Sequence, residues 1–345
     1  MEDLMLAARY VGDRGIEVAT VEAAPPGPGE VQVAVAYTGI CGTDLHIRHG
    51  DMDARVDLPA VVGHEMSGRV VACGPDVHDW HPGDAVTVMP LRWCGSCSAC
   101  TSGHQHICER LDFMGIDSPG SMQQLWTVPS DVLVHLPPAL ELAHGALVEP
   151  TAVAVHDVRR ADLRPGERVV VVGGGPVGIL IASVAAADGA DVVVLEVNGY
   201  RRSVAEGLGL ATLDPTDGDV GDRLRGWSQG GPVGASFEVS GTQPGMEVAL
   251  ACLGPRGRMV QVGIHAQPRT VDLHQVFWRE LSILGARVYE RSDFERAVAL
   301  LAAGHVAADA LISRVQPLES AAAAFDELAA GGEVMKILVR CGDVS

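Results

Sequence analysis

Between Val169 and Leu195 the chain is almost uncharged, with only Asp188 and Asp191 inside, yet Gly173-Gly174-Gly175-Pro176-Val177-Gly178 interrupts it. That interruption excludes a membrane span and divides the run by period. A strand is predicted over Arg168–Val172, then a turn, a helix over Pro176–Asp188 and a second strand over Asp191–Glu196. Strands that read as continuous apolar runs are buried on both faces, so the unit is βαβ and belongs to a doubly wound parallel sheet. Few features of a sequence restrict the fold as narrowly.

The glycines have separate tasks in such a unit. Gly173 permits the tight turn, Gly175 lets the backbone approach a pyrophosphate, and Gly178 lets the helix pack on its strand. The helix N-terminus, opened by Pro176 and Val177, supplies amides and the positive end of a dipole to the phosphates. Glu196 follows Gly178 by eighteen residues, where a carboxylate holds the adenosine ribose hydroxyls and repels a 2′-phosphate. This favours NAD over NADP. Arg201 and Arg202 just beyond act the other way, since an arginine there accommodates the phosphate.

The rest of the chain has two other textures. Short β-rich runs (Glu30–Tyr37, Gly68–Cys73, Asp84–Val88, Leu125–Pro129, Val132–His135) separated by Gly/Pro turns predict a barrel-like, partly antiparallel N-terminal domain over residues 1–151. Alternating strand and helix occupy 152–285. Residues 286–345, with helices at Asp293–Ala303 and Leu318–Ala330 and a last strand at Met335–Arg340, are too short for a domain. They are expected to return and complete the first one, leaving the dinucleotide domain inserted beside a cleft. A length of 345 residues suits two domains.

Cys94, Cys97, Cys100 and Cys108 share one short loop, with gaps of two, two and seven residues. The spacing suits a closed Cys₄ zinc site, which stabilises a lobe and does no chemistry. Paired disulfides are disfavoured, because Met1–Gly12 has no signal-peptide pattern and a reducing, cytoplasmic setting is expected. A nucleic-acid-binding zinc ribbon is disfavoured by the net charge of −19, which also opposes binding to anionic membranes. Nearly all positive charge is arginine, and Lys336 is the only lysine. Cys73, Cys252 and Cys341 read as buried thiols.

A second metal set is more dispersed. Cys41 lies in a glycine-flanked turn, His64 follows Gly63 in another, and Glu149 precedes the domain switch. Sulfur, imidazole and carboxylate can hold Zn²⁺ with an open position. There the ion would polarise an alcohol oxygen and lower its pKa, so that hydride can leave. Glu65, beside His64, is the competing carboxylate. Taken singly, Cys41 would be a small buried residue and His64 a surface histidine.

The stretches Gly39–His46, Gly63–Gly74, Cys94–Cys108, Gly145–Arg160 and Gly173–Gly178 resemble, in order and spacing, the zinc-containing medium-chain dehydrogenase/reductase family. The resemblance spans essentially the whole chain and implies a GroES-like catalytic domain with a Rossmann coenzyme domain. Val148-Glu149-Pro150 points to the polyol and 2,3-butanediol branch, with threonine 3-dehydrogenases close by. It implies two zinc ions: one in the four-cysteine loop, one on Cys41, His64 and one or both of Glu65 and Glu149. Thr43 then matches the first proton acceptor, His46 the relay to solvent, and Asp44 the acid that orients the ligand histidine. Val262-Gly263-Ile264 matches the strand end that holds the nicotinamide amide, and Lys336 a basic position near the pyrophosphate. The implied reaction is NAD-linked oxidation of a secondary alcohol by a homo-oligomer, a tetramer ahead of a dimer. Threonine-type oxidation and a non-catalytic nucleotide-binding relative are the alternatives. The chain departs from the family at Gly120–Trp126, which implies an altered substrate cleft, with Trp93 and Phe113 as candidate walls. His156 reads as structural.

Overall fold

The computed structural model describes residues 4–265 and 267–342. They form two compact units. One holds the chain up to Glu149, Glu290–Ala302 and the stretch from Ile312 onward; the other holds Pro150–Tyr289 and Ala303–Leu311.

In the first unit the strand Glu30–Gly39 is the hub of a seven-stranded sheet. It pairs antiparallel with Glu65–Cys73, where Gly39 faces Glu65, and with Lys336–Arg340, where Gly39 faces Leu338. Val31, Val33 and Val35 are fully buried at every second position, as one covered face of a pleated strand requires. This register has a consequence for chemistry. Because Gly39 ends its strand opposite both neighbours, Ile40, Cys41, Glu65 and Lys336 collect at one end of the sheet. The last strand, from the far end of the sequence, therefore helps build the same end of the sheet as residues 30–73.

Three local features differ from the sequence reading. A hairpin of Leu4–Tyr10 and Ile16–Glu22 precedes the strands singled out above. Residues 42–49 form a helix, not a turn, with Gly50 in a left-handed conformation (φ 86°) stopping it; Leu45 and Ile47 supply helix-forming bulk that the flanking glycines masked. The segment Ala303–Leu311 packs with the second unit, its Val306, Ala308 and Leu311 buried.

The second unit is a six-stranded, wholly parallel sheet. In spatial order its strands are Ala211–Leu213, Asp191–Leu195, Arg168–Val172, Val233–Glu238, Leu253–Gln261 and Ser282–Gly285. Numbered within the unit this is 3-2-1-4-5-6, the dinucleotide-binding order, which reverses direction beside Arg168–Val172. Val169, Val170 and Val171 have no exposed surface, each contributing roughly 1.5–3 kcal/mol of burial. The helix Pro176–Ala187 follows the first strand. A Cβ on Gly178 would lie 1.9 Å from the Gly173 carbonyl oxygen, and Gly173 itself has φ +109°, so neither position accepts a side chain. Among the described residues no helix is long and apolar enough to cross a membrane.

Candidate active site

The four-cysteine loop is compact and nearly self-contained. Its sulfurs lie 3.4 to 4.0 Å apart across Cys97–Cys100, Cys94–Cys108, Cys97–Cys108 and Cys94–Cys100. Four thiolates bound to zinc at about 2.3 Å would stand roughly 3.8 Å apart in a tetrahedron, so the donor set fits Zn²⁺ with little movement. Main-chain N–H groups of Cys94 and Arg110 donate to Cys108 Sγ at 3.4 and 3.3 Å. The backbone at Ser96 and the side chain of Arg110 hold Cys94 down at about 5, whereas desolvation pushes Cys100 up to about 12.

Cys41, His64 and Glu65 form a second group, with one donor atom from each within 4.8 Å of the others. Cys41 caps the helix Gly42–His49. Its N–H donates to Asp44 Oδ2 at 2.8 Å, closing a capping box that buries Asp44 completely. The other Asp44 oxygen lies 3.6 Å from His64 Nδ1, and both atoms are buried without a hydrogen bond. A carboxylate on one ring nitrogen leaves the other for a metal. Burial works against a charged His64, but Asp44, Cys41 and Glu149 prevail and hold it well above its ordinary value. Burial likewise raises Asp44, against the pull of His64. A thiol, an imidazole and a carboxylate in a buried, negatively biased place fit Zn²⁺.

Glu149, in the first turn of the helix Val148–Ala161, is buried and adds to the field on His64. It is not one of the three donors within 4.8 Å; Glu65 is. Lys336, expected near the pyrophosphate, is buried beside Glu65. Its ammonium donates to Glu65 Oε1 at 2.8 Å, Glu65 Oε2 at 2.6 Å and the Ile40 carbonyl at 3.2 Å. All three N–H bonds are thereby used, because a buried carboxylate in an apolar sheet draws the only lysine to it. The residue's oddity was visible in sequence, as a charge inside Val334–Val339, but its partner was not.

Supporting residues lie around this group. Phe113 is buried and sets its ring edge-on to His64, centroids 5.2 Å apart and planes at 87°; Trp93 is 41% exposed. The atypical segment Gly120–Trp126 supports the histidine turn. The amides of Gly120, Ser121 and Met122 donate to the carbonyls of Val61, Gly63 and Val62. Gly63 (φ +96°) makes the turn, and a Cβ on Gly120 would meet the Gly63 oxygen at 2.3 Å. Thr43 and His46 both lie on the helix Gly42–His49, one turn apart. His46 is partly exposed, its Nδ1 3.0 Å from Asp51 Oδ2. His156 is buried, with Nδ1 3.1 Å from an Arg159 nitrogen.

In the second unit the glycine turn lies at the strand ends. Gly175 caps the helix and Pro176 occupies its first turn. Glu196 is buried; its oxygens accept from the amides of Gly174 and Asn198, both at 2.7 Å. Arg201 Nη1 stands 3.9 Å from the same carboxylate, near Gly175. Arg202 is engaged by the Glu196 carbonyl at 2.7 Å and Asp214 at 2.9 Å. The amides of Val262 and Gly263 donate to the Glu238 carbonyl at 3.0 and 2.8 Å, the Gly263 carbonyl accepts from Gln261 Nε2 at 2.8 Å, and Ile264 is exposed.

Comparison with known proteins agrees with this layout. Residues 27–138 match the family model for an alcohol dehydrogenase GroES-like domain, and residues 176–303 that for a zinc-binding dehydrogenase. The 2-dehydro-3-deoxy-L-galactonate 5-dehydrogenase of Pseudoalteromonas atlantica is 45% identical, covering 98% of this chain and 99% of that one. The crystal structure of 2R,3R-butanediol dehydrogenase from Bacillus subtilis is 30% identical with a TM-score of 0.91, covering 97% of this chain and 99% of that one. A zinc-binding dehydrogenase from Sinorhizobium meliloti 1021, solved with NADP, is 32% identical with a TM-score of 0.93, covering 98% and 100%.

Proposed function

Because this chain belongs to the zinc-containing medium-chain dehydrogenases/reductases, among their diol and polyol dehydrogenases, we propose that it oxidises a secondary hydroxyl of a sugar acid to a ketone, with NAD as hydride acceptor. The observation that carries this is the group of Cys41 with the buried His64 and Glu65, steadied by Asp44 and Lys336. The substrate class rests on the 45% identity to a galactonate-type dehydrogenase.

When bound, Zn²⁺ polarises an alcohol oxygen and lowers its pKa. The chain's own residues do the rest. Asp44 fixes the ring of His64. Lys336 neutralises Glu65, which leaves Cys41 and His64 as the steady donors and Glu65 and Glu149 as carboxylates that can exchange. Thr43 accepts the substrate proton at its hydroxyl and passes its own onward. His46, three residues along the same helix face, receives it and releases it at its exposed edge beside Asp51.

The NAD preference rests on Glu196, whose buried carboxylate lies at the glycine turn, and on the engagement of Arg202 by Asp214. Assembly as a homo-oligomer is supported by Leu273, Phe277 and Trp278, which stand exposed on the helix Leu273–Arg279. The test follows formation of reduced nicotinamide with aldonic and deoxy-keto sugar acids, sorbitol and butanediol, each with NAD and NADP. Turnover of the sugar acids with NAD is expected to lead, and Glu196→Ala should narrow the gap between cofactors. Preference for a simple diol would overturn the substrate class, and faster reaction with NADP would assign the cofactor choice to Arg201.

A further inference from the structure

Three side chains outside both metal groups converge in the first unit. His104 and His106 flank Gln105 at the 3₁₀ turn Gln105–Ile107, their ring centroids 6.1 Å apart and their planes at 90°. Glu290, distant in sequence, brings Oε1 to 3.8 Å from His106 Nδ1. One donor atom from each of the three lies within 4.8 Å of the others. His106 is 8% exposed, Glu290 is intermediate, and His104 is exposed.

We propose that His104, His106 and Glu290 form a third site for a divalent cation of the zinc class. Two imidazoles and one carboxylate suit Zn²⁺, Co²⁺, Ni²⁺ or Cu²⁺, whereas Ca²⁺ and Mg²⁺ demand oxygen donors throughout. Zinc at about 2.0–2.1 Å from nitrogen and oxygen sets tetrahedral donors roughly 3.3 Å apart. The His106–Glu290 pair is already near that spacing, and His104, being exposed, can turn to close the remainder. Three protein donors leave one position for water.

The site joins two parts of the unit that the sequence keeps far apart. His104 and His106 belong to the loop that carries Cys94–Cys108. Glu290 stands immediately before the helix Arg291–Ala302, where the chain re-enters this unit. Arg291 already ties that re-entry to the carbonyls of Asp131 and Leu133 at 2.7 and 2.8 Å. An ion held by His104, His106 and Glu290 adds a second tie, from the cysteine loop to the same helix start. Its effect is on the placement of the loop, and it holds its metal less tightly than four thiolates do.

The experiment titrates Zn²⁺ into the holoenzyme after dialysis against a weak chelator and counts bound zinc per chain by elemental analysis and calorimetry. His104→Ala removes an exposed side chain, and Glu290→Gln keeps the volume while removing the charge, so both should fold. The wild type is expected to take up one equivalent more than either variant, whose affinity at this site should fall at least about tenfold. Added zinc should raise the melting temperature of the wild type and not that of the variants. Equal uptake by all three proteins would overturn the site. Loss in His104→Ala with full uptake in Glu290→Gln would reduce it to a surface histidine pair and overturn the tie to the helix. The count is a difference between proteins, so it stands whatever the other two sites hold and whichever alcohol is oxidised.

Discussion

The two metal groups of the first unit are built in opposite ways. The four cysteines come from fifteen consecutive residues, and their sulfurs are set by one loop's own turns and amides. The Cys41 group draws on a helix cap, a glycine turn and strands from both ends of the chain. Each contains buried and partly exposed donors; the first is uniform in chemistry, whereas the second is mixed in donor type and surrounded by supporting charges. A local, saturated set suits holding a loop in place. A dispersed set with unequal donors suits chemistry, because each ligand can be tuned and one position kept open.

Substitutions can break or sharpen that contrast. The largest effect is expected from Cys41→Ser, which should lower kcat/KM about a thousandfold, the equivalent of ~4 kcal/mol, with a melting temperature near wild type. A parallel collapse of the fold would mean that the buried group is also structural. Cys97→Ser should do the reverse, costing about 4 kcal/mol of stability and lowering the melting temperature by roughly 10 °C. Full stability with lost turnover would abolish the distinction.

Lys336→Met comes next, at about 3 kcal/mol, because it leaves Glu65 charged and unpaired in the interior. Pairing it with Glu65→Gln should recover part of that loss, which a thermal melt of the single and double variants would measure. Burial pulls the Lys336 ammonium down, but Glu65 and Cys41 carry it above its ordinary value. Its contribution is therefore present in full below about pH 10.5 and lost as pH rises through the higher folded-state value. The smallest effects concern the relay. Thr43→Val should slow turnover about a hundredfold with zinc content unchanged, and His46→Gln nearer tenfold with partial recovery at high pH. Near-normal turnover of Thr43→Val would eliminate this proton path.

Much of this was legible because it is local. The valine run, the glycine spacing and the four cysteines each state their geometry within a few residues, so the βαβ unit and the thiol cluster could be read directly. Cys41 to His46 was read as a turn because Gly39 and Gly42 are strong local signals. The helix there is decided by the Asp44 capping box and by burial of Ile47. Gly120–Trp126, expected from the resemblance to border the substrate cleft, also supports the His64 turn through its backbone bonds to Val61–Gly63, which its sequence does not announce. The hairpin Leu4–Glu22 is not among the sequence expectations, although Gly12-Asp13-Arg14-Gly15 punctuates its turn.

The sequence by itself determined the parallel sheet, the glycine turn at its strand ends, the four-thiol set and the donor types available for a second metal. Periodicity and short spacings specify these, since they depend on backbone geometry over one or two elements. Only the tertiary structure decided that Lys336 neutralises Glu65 and that Glu290 reaches the two histidines of the cysteine loop. Each of those contacts depends on sheet register or chain return across a long stretch of sequence, and no local propensity encodes such a distance.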